Sequence, residues 1–178
     1  MPRHCRSNSA RSTGQRRVEL RVDTLVSSGT VSFGVAEPSV DLKYDTPRGI
    51  TVGNLPGSGK QIGLSSSGSV YSKVPGAFSE QSVAAVGAVN EGDVLAMDLD
   101  FTGGTASFSI NGESVYTSIL PTGSYHVVVG VSPGCEATVN LAQNIAMTGP
   151  LPAGYTDWDG NALGGTVPVS TTLTYEVV

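Results

Sequence analysis

The sequence contains few charged residues, few aromatic residues and only two cysteines. Charged residues make up 14% and aromatic residues 6% of the 178 positions. Cys5 and Cys135 belong to no CxxC motif, and His4 is the only histidine near either of them, so a disulfide framework or a zinc site is unsupported. We therefore expect two ordinary thiols, with no metal and no cofactor.

Long apolar segments are missing as well. No run reaches the roughly 18 apolar residues that a membrane-spanning helix requires. The N-terminus also lacks the apolar core of a signal peptide. The sequence thus favours a soluble protein that is made in a cytoplasm and has no membrane partner.

Glycine and proline are abundant, at 23 and 10 residues, which indicates many turns between short strands. Apolar and polar residues alternate over 18–23 and 30–35, and the Ser28-Gly29 pair between them predicts that these two strands form a hairpin. The nearly continuous apolar run 125–131 predicts a strand that is covered on both faces.

Helical periodicity is scarce. It occurs only over residues 80–89 and 140–147, and each segment would make at most two or three turns. At the C-terminal end, residues 172–177 alternate again and predict a closing strand. These patterns predict an all-β fold in which two antiparallel sheets pack as a sandwich.

The clearest pattern lies between residues 92 and 112. Apolar and polar residues alternate on both sides of Gly103-Gly104, and Asn111-Gly112 predicts a second tight turn. We therefore predict a three-stranded meander that continues to residue 118. The residues predicted to face the core are Leu95, Met97, Leu99, Phe101, Ala106, Phe108 and Ile110.

The first 21 residues contain six of the ten basic residues and a single acid, Glu19, so the rest of the chain is strongly acidic. A basic arm can bind nucleic acid through phosphates, or it can dock on an acidic neighbouring subunit. Because no aromatic residues are interleaved, nucleic acid is the less favoured partner. We assign residues 1–13 to this arm, and its predicted assembly residues are Arg3, Arg6, Arg11 and Arg16.

Two patterns suggest chemistry but are better explained structurally. Residues 57–60, Gly-Ser-Gly-Lys, are similar to a phosphate loop, but Asn54 and Gln61 replace the required Gly and Ser/Thr, so we expect a surface turn. Asp98 and Asp100 would lie about 7 Å apart on one strand face, which would suit sugar hydrolysis. The alternation that turns Leu99 inward places both acids outward in any case.

Three further features of the sequence could indicate ligand binding or catalysis. Asp157, Asp159 and Asn161 could offer oxygen ligands to calcium, but the order of an EF-hand fails, and a turn is favoured. His126 lies in an apolar strand without a companion nucleophile, so we expect a structural histidine. Trp158, the only tryptophan, is either a core residue or an anchor for a partner or a sugar.

The order of these segments resembles the SPRY family over residues 14–142. The most specific part of the resemblance is the block 92–112, which matches a "GDVIG" strand followed by an "SF-x-x-NG" hairpin. The chain departs from the family at two strands, where Arg17–Val22 replaces an aromatic-rich "WYFEV" and Asn140-Leu141-Ala142 replaces "NFG". The other matching segments are 34–42, 62–71, 127–131 and 139–141.

The resemblance implies a concanavalin-like jelly roll spanning residues 14–178, with a C-terminal extension over 148–178. SPRY-like domains are non-enzymatic platforms that hold partner proteins through loops at one rim. Carried over, this implies partner binding by the loop 37–48 and by the hairpin around Tyr71. The predicted partner-binding residues, with Trp158 included, are Glu37, Asp41, Tyr44, Arg48, Tyr71 and Trp158.

Residues 152–155, Pro-Ala-Gly-Tyr, resemble the "PPAGF" tail of SPRY-like bacteriophage proteins. The resemblance implies a structural protein of the virion, assembled in the host cytoplasm, that decorates the capsid or associates with the tail. Its expected partners are neighbouring virion proteins in an oligomer or multi-copy assembly. The alternative is an adhesion module that binds a host receptor or glycan.

Overall fold

The computed structural model describes residues 3–42, 51–53, 55–73, 81–141 and 153–160, without the side chains of Arg3 and residues 81–84. Every regular element in these ranges is a β-strand. Within the same ranges, no helix has the length and apolar character needed to cross a membrane. The strands are β1 (Arg3–Arg6), β2 (Gln15–Thr24), β3 (Val31–Ala36), β4 (Gln61–Ser65), β5 (Ser69–Lys73), β6 (Gln81–Ala85), β7 (Val94–Asp100), β8 (Thr105–Ile110), β9 (Glu113–Ile119), β10 (His126–Val131) and β11 (Glu136–Asn140).

The strands form two antiparallel sheets that share one hydrophobic core. One sheet has six strands in the order β1-β10-β3-β4-β5-β6, and the other has five in the order β11-β2-β7-β8-β9. Apolar residues of the alternating pattern line the inner face of each sheet and are buried against the other. The predicted all-β, two-sheet sandwich is confirmed. The largest buried side chains include Phe33, Leu64, Leu95, Met97, Phe108 and Trp158.

The predicted meander is present as strands β7, β8 and β9. The turn between β8 and β9 has positive φ at Asn111 (51°) and Gly112 (84°), as a two-residue hairpin turn with the strands' own twist requires. Between β7 and β8, only Gly104 has a positive φ, whereas Gly103 does not. Phe101 and Ile110 are only partly buried and pack against the edge of the core.

The predicted hairpin between residues 18–23 and 30–35 is wrong. Strand β2 pairs with β7 and β11, whereas β3 pairs with β10 and β4, so the two strands lie in opposite sheets. The six connecting residues, 25–30, can easily cross the ~10 Å between packed sheets. The apolar faces of β2 and β3 therefore meet across the core, and residues of both strands belong to one buried cluster.

The segment 80–89 has helical periodicity in its sequence, but its described part contains a strand and no helix. Residues 81–85 form β6, which pairs antiparallel with β5. An available sheet edge overrides a short helical pattern, because a helix of two turns is marginal without packing. Of the other candidate, 140–147, Asn140 belongs to β11, and the rest lies outside the described residues.

Strand β10 is buried on both faces, as predicted. Val127 and Val129 face the main core, whereas Val128 belongs to a second cluster on the outer face of the six-stranded sheet. The last residue of β3 and the connection between β3 and β4 supply the rest of this second cluster. Its other buried members are Ala36, Val40, Val52 and Leu55, and Leu42 packs against them.

The N-terminal segment is bonded to the sheet along most of its length. Strand β1 pairs with β10, Ser7 N–H donates to the Val127 carbonyl at 2.9 Å, and Arg11 forms an isolated bridge with Tyr125. Residues 3–11 are therefore part of the sandwich in this structure. The domain boundary after residue 13 and the extension 148–178 stay predictions, and the closing strand 172–177 lies outside the described residues.

Candidate functional site

The candidate site lies where β3, β4 and β10 meet at one end of the sandwich. The Glu37 carboxylate, directly after β3, accepts a hydrogen bond from Lys60 N–H at 2.9 Å and lies 3.4 Å from the Lys60 ammonium. Lys60 Nζ also donates to the Thr122 carbonyl at 2.5 Å. Glu37, which the sequence predicted as a partner-binding residue, thus pairs with Lys60, and Lys60 joins the β3–β4 connection to the β9–β10 connection.

A segment crosses the outer face of the six-stranded sheet beside this rim. We call residues 51–53 and 55–57 the crossing segment. It lies close over strand β4 at Gly63, where a Cβ atom would lie 2.6 Å from the Val52 carbonyl oxygen and 2.8 Å from Val52 Cβ. Because glycine has no Cβ, the backbone of the crossing segment can lie flat on strand β4.

The side-chain amide of Gln61 holds this segment in place. Gln61 Oε1 accepts hydrogen bonds from Gly53 N–H at 3.0 Å and from Leu55 N–H at 2.9 Å, and Gln61 Nε2 donates to the Leu55 carbonyl at 2.6 Å. Gln61 is 2% exposed, so these bonds replace water for three buried backbone groups. This role could not be predicted from the sequence, because a glutamine at the start of a strand gives no distinctive signal.

Lys73 and the 37–42 loop fasten the other end of the crossing segment. Lys73 Nζ donates to the carbonyls of Leu55 and Gly57, and Asp41 N–H donates to the Pro56 carbonyl at 2.9 Å. Residues 58 and 59 form a bend, after which the chain enters strand β4 and not a helix. The crossing segment is therefore held by side chains of strands β4 and β5 and by the backbone of the 37–42 loop.

Two predicted partner-binding residues border the crossing segment and keep exposed surface. Asp41 is exposed, and Tyr71 is partly exposed on β5, where its backbone contacts Gly53. Tyr44 and Arg48 lie outside the described residues. The structure thus brings Glu37, Asp41 and Tyr71 to one surface, in which Glu37 is a structural link and the other two face outward.

Trp158 does not belong to this surface, so its inclusion among the rim residues was wrong. Its side chain is 1% exposed and lies in the main core, and its indole N–H donates to the Ser9 carbonyl at 3.0 Å. Trp158 N–H donates to the Leu141 carbonyl at 2.9 Å. Of the two interpretations that the sequence left open, the structure selects the core residue.

Two of the four predicted assembly arginines, Arg11 and Arg16, bind the chain's own C-terminal part. Arg11 Nε donates to the Trp158 carbonyl at 2.8 Å, and its guanidinium lies 3.1 Å from an Asp159 carboxylate oxygen. Arg16 bonds to the Thr156 hydroxyl. Arg6 is exposed on β1, and the Arg3 side chain is not described. Docking of this segment on a neighbouring chain stays a prediction.

Asp98 and Asp100, the two carboxylates spaced as in sugar hydrolysis, both make structural hydrogen bonds. Arg17 Nη1 lies 3.1 and 3.0 Å from the two oxygens of Asp98, and Arg17 Nε lies 3.1 Å from Glu19. The pKa of Asp98 is raised overall, mainly because burial disfavours the charged form. The positive charge of Arg17 opposes this shift, and the negative charge of Glu19 adds to it. Asp100 instead accepts bonds from the N–H groups of residues 102 and 103, which cap a turn.

The remaining candidates are structural in the described part of the chain. His126 Nδ1 lies 2.7 Å from the Ser7 carbonyl, which fixes the start of β10 to the N-terminal segment. Cys5 and Cys135 are free thiols, and burial raises the pKa of Cys5. Among the described residues, no group of three or more His, Cys, Asp or Glu side chains could hold a metal ion.

This architecture defines the chain as an SPRY-type β-sandwich. The SPRY domain of human HERC1 is similar to it, with 16% sequence identity and a TM-score of 0.53, over 78% of this chain and 81% of that chain. The TRIM65 PSpry domain is also similar, with 20% identity and a TM-score of 0.50, over 77% of this chain and 70% of that one. No protein-family model and no curated protein sequence matches the chain.

Proposed function

We propose that this chain is a non-enzymatic protein-binding module whose docking surface is formed by Asp41 and Tyr71, which the largely buried crossing segment supports. The observation behind the proposal is that Gln61 and Lys73 hold the crossing segment at residues 53, 55 and 57. Loops that are held on a rigid sheet bind with a small loss of conformational entropy. An SPRY-type fold agrees with this role.

We further infer that the partners are proteins of a virion, in which the chain would be a decoration or tail-associated component. This setting rests on the resemblance of residues 152–155 to the "PPAGF" segment of SPRY-like bacteriophage proteins, and on the sandwich as an assembly module. The glycan-binding alternative is less well supported, because Trp158, the residue best suited to stack on a sugar, is 1% exposed.

The proposal is tested on purified virus particles that contain the chain. Chemical cross-linking and mass spectrometry identify the neighbouring protein, and the affinity of that purified neighbour is then measured for wild type, Asp41→Arg and Tyr71→Ala. We expect each substitution to weaken binding by about tenfold or more, the size of a substantial interface contribution.

Glu136→Arg is the matched control. Glu136 is an exposed acid at the start of β11, at the opposite end of the sandwich. This variant should bind within about twofold of wild type, because it is a surface change away from the interface. If the chain is absent from every particle, the proposed virion location is wrong. If Asp41→Arg and Tyr71→Ala bind as tightly as Glu136→Arg, the proposed docking surface is wrong.

A further inference from the structure

The turn between β8 and β9 contains the one Asn-Gly pair of the sequence, Asn111-Gly112. An asparagine before glycine can lose its side-chain amide without an enzyme, because the glycine nitrogen attacks the side-chain carbonyl carbon and no glycine side chain hinders the approach. Both residues are exposed, and no heavy atom of the described residues lies within 4 Å of a Cβ atom added to Gly112. Solvent therefore reaches the reacting atoms.

The folded turn holds the side-chain amide of Asn111 through both of its polar atoms. Oδ1 accepts a hydrogen bond from Val94 N–H at 2.9 Å, and Nδ2 donates to a carboxylate oxygen of Asp93 at 2.8 Å. The bond to Asp93 has a charged acceptor, which makes it stronger than a neutral hydrogen bond. Because ring closure turns the amide away from both partners, both bonds must first break.

The backbone conformation of Asn111 opposes ring closure as well. Its φ of 51° is left-handed. In that conformation ψ is about +47°, which places the next nitrogen and the Cβ atom on opposite sides of the Cα–C bond. A five-membered ring requires both on the same side, so the turn must open before the reaction.

Asp93, the acceptor for this amide, is itself fixed by the chain before β7. Its second carboxylate oxygen accepts hydrogen bonds from Asn90 N–H at 2.7 Å and from Asn90 Nδ2 at 3.4 Å. Burial disfavours the charged form of Asp93, but the hydrogen bonds from Asn90 and Asn111 outweigh burial and lower the pKa. The carboxylate is therefore ionised at neutral pH.

We propose that Asn111 is a site of spontaneous deamidation that Asp93 and Val94 restrain, so that the modification depends on opening of the β8–β9 turn. In the reaction, the Gly112 nitrogen gives its proton to hydroxide and bonds to Asn111 Cγ. The Cγ–Nδ2 bond breaks, and the nitrogen takes a proton from water and leaves as ammonia. Water then opens the cyclic imide at either of its two carbonyls, which gives aspartate or isoaspartate.

The product is incompatible with the contacts that the amide makes. An aspartate at position 111 has no N–H to donate, so two carboxylates would meet where Nδ2 and the Asp93 oxygen now lie 2.8 Å apart. Like charges at this distance repel. The modification should therefore weaken the turn in which it occurs. This inference goes beyond the proposed protein-binding function, because it concerns a covalent change in the other sheet.

The test measures the rate of amide loss at Asn111 in the full chain at mildly alkaline pH, by mass spectrometry of its peptides. We expect Asp93→Ala to deamidate at least about fivefold faster than wild type, because a hydrogen bond to a charged acceptor is lost. Asn90→Ala is the matched control, since the Asn90 side chain bonds to the same carboxylate but not to the Asn111 amide. Its rate should stay within about twofold of wild type.

The dependence on opening is tested by unfolding the same proteins in urea. All three should then react at one common rate, at least about tenfold faster than folded wild type, because the turn no longer restrains the amide. This comparison needs only wild type, so it decides the matter even if Asp93→Ala does not fold. The product should contain isoaspartate as well as aspartate.

Equal rates for folded and unfolded wild type would overturn the proposal, as would equal rates for Asp93→Ala and Asn90→Ala. A product with aspartate but no isoaspartate would also overturn it, because direct hydrolysis would then replace ring closure. Asn111→Asp, which carries the charge of the product, should melt at a lower temperature than wild type at neutral pH. An unchanged melting temperature would contradict the repulsion from Asp93.

Discussion

At the residue scale, the buried amide of Gln61 decides whether the candidate surface is rigid. Its three hydrogen bonds join a strand to two residues of the crossing segment, Gly53 and Leu55. A buried backbone group that loses its partner costs about 1–3 kcal/mol. One side chain therefore stabilises a loop that could not pair with the sheet through its own backbone.

Gln61→Ala should lower the free energy of unfolding by roughly 2–4 kcal/mol, because it leaves buried N–H and carbonyl groups without partners. Urea unfolding measures this change, and hydrogen exchange at Gly53 and Leu55 should accelerate. Gln15→Ala is the matched control, since Gln15 makes a partly buried bond to Asp100 and should cost no more than about 1 kcal/mol. Equal costs for the two variants would contradict the clamp.

Two aspartates of β7 should give opposite dependences of stability on pH. Burial raises the pKa of Asp98, so above the ordinary pKa of about 4 the folded state holds this proton longer than the unfolded chain. The contribution of Asp98 to stability is therefore lost as the pH rises through that window. Hydrogen bonds from Gly103 and Gln15 lower the pKa of Asp100, whose contribution is lost as the pH falls.

Urea unfolding of wild type, Asp98→Asn and Asp100→Asn between about pH 3 and 7 checks both signs. Relative to Asp98→Asn, wild type should lose stability as the pH rises from about 4. Relative to Asp100→Asn, it should lose stability as the pH falls below about 4. Parallel curves for all three proteins would show that neither carboxyl group has a shifted pKa.

At the element scale, the β8–β9 turn shows where sequence patterns are reliable. Asn111 and Gly112 both adopt the left-handed conformation, and Asn111 also accepts a bond from Val94 N–H at 2.9 Å. An Asn-Gly pair between alternating segments encodes this turn locally, so residues 92–112 could be predicted without knowledge of the rest of the chain.

Gly112→Ala should destabilise the protein by about 1–2 kcal/mol, the cost of a left-handed conformation for a residue with a Cβ atom. No heavy atom lies within 4 Å of the added Cβ, so the effect is conformational and not steric. Ser114→Ala, two residues further on at an exposed position, should change the stability by less than about 0.5 kcal/mol. Thermal unfolding distinguishes the two, and a neutral Gly112→Ala would contradict the turn geometry.

The β2–β3 connection shows where sequence patterns fail. Both strands have the predicted alternation, and Gly29 N–H does donate to the Val26 carbonyl in a turn at 2.8 Å. The choice between pairing in one sheet and facing each other across the core depends on β7, β10 and β4, which come later in the chain. A local pattern specifies which face of a strand is buried but not which strand lies beside it.

At the scale of the whole molecule, Trp158 connects the two ends of the described chain. Its ring lies in the core, its indole N–H reaches Ser9, and its carbonyl accepts a bond from Arg11. A segment that is nearly 150 residues away from the N-terminal strand by sequence thus holds it against the sandwich.

Trp158→Ala should lower the free energy of unfolding by about 3–5 kcal/mol, the usual cost of deleting a buried tryptophan side chain. Hydrogen exchange should also accelerate at residues 7–11. Trp158→Phe fills most of the volume and leaves the Ser9 carbonyl without its donor, so it should cost only about 1–3 kcal/mol. If Trp158→Ala is as stable as wild type but no longer binds a partner, Trp158 contributes to partner binding and not to the core.

The sequence alone determined the strand class, the inner faces of β7 and β8 and the turn at Asn111-Gly112, because these depend on alternation and on backbone preferences of neighbouring residues. Only the tertiary structure decided the pairing of β2 and β3, the strand at 81–85, the burial of Trp158 and the clamp at Gln61. Each of these depends on contacts between residues that are distant in the chain, or on competition for a sheet edge, and neither can be read from a local pattern.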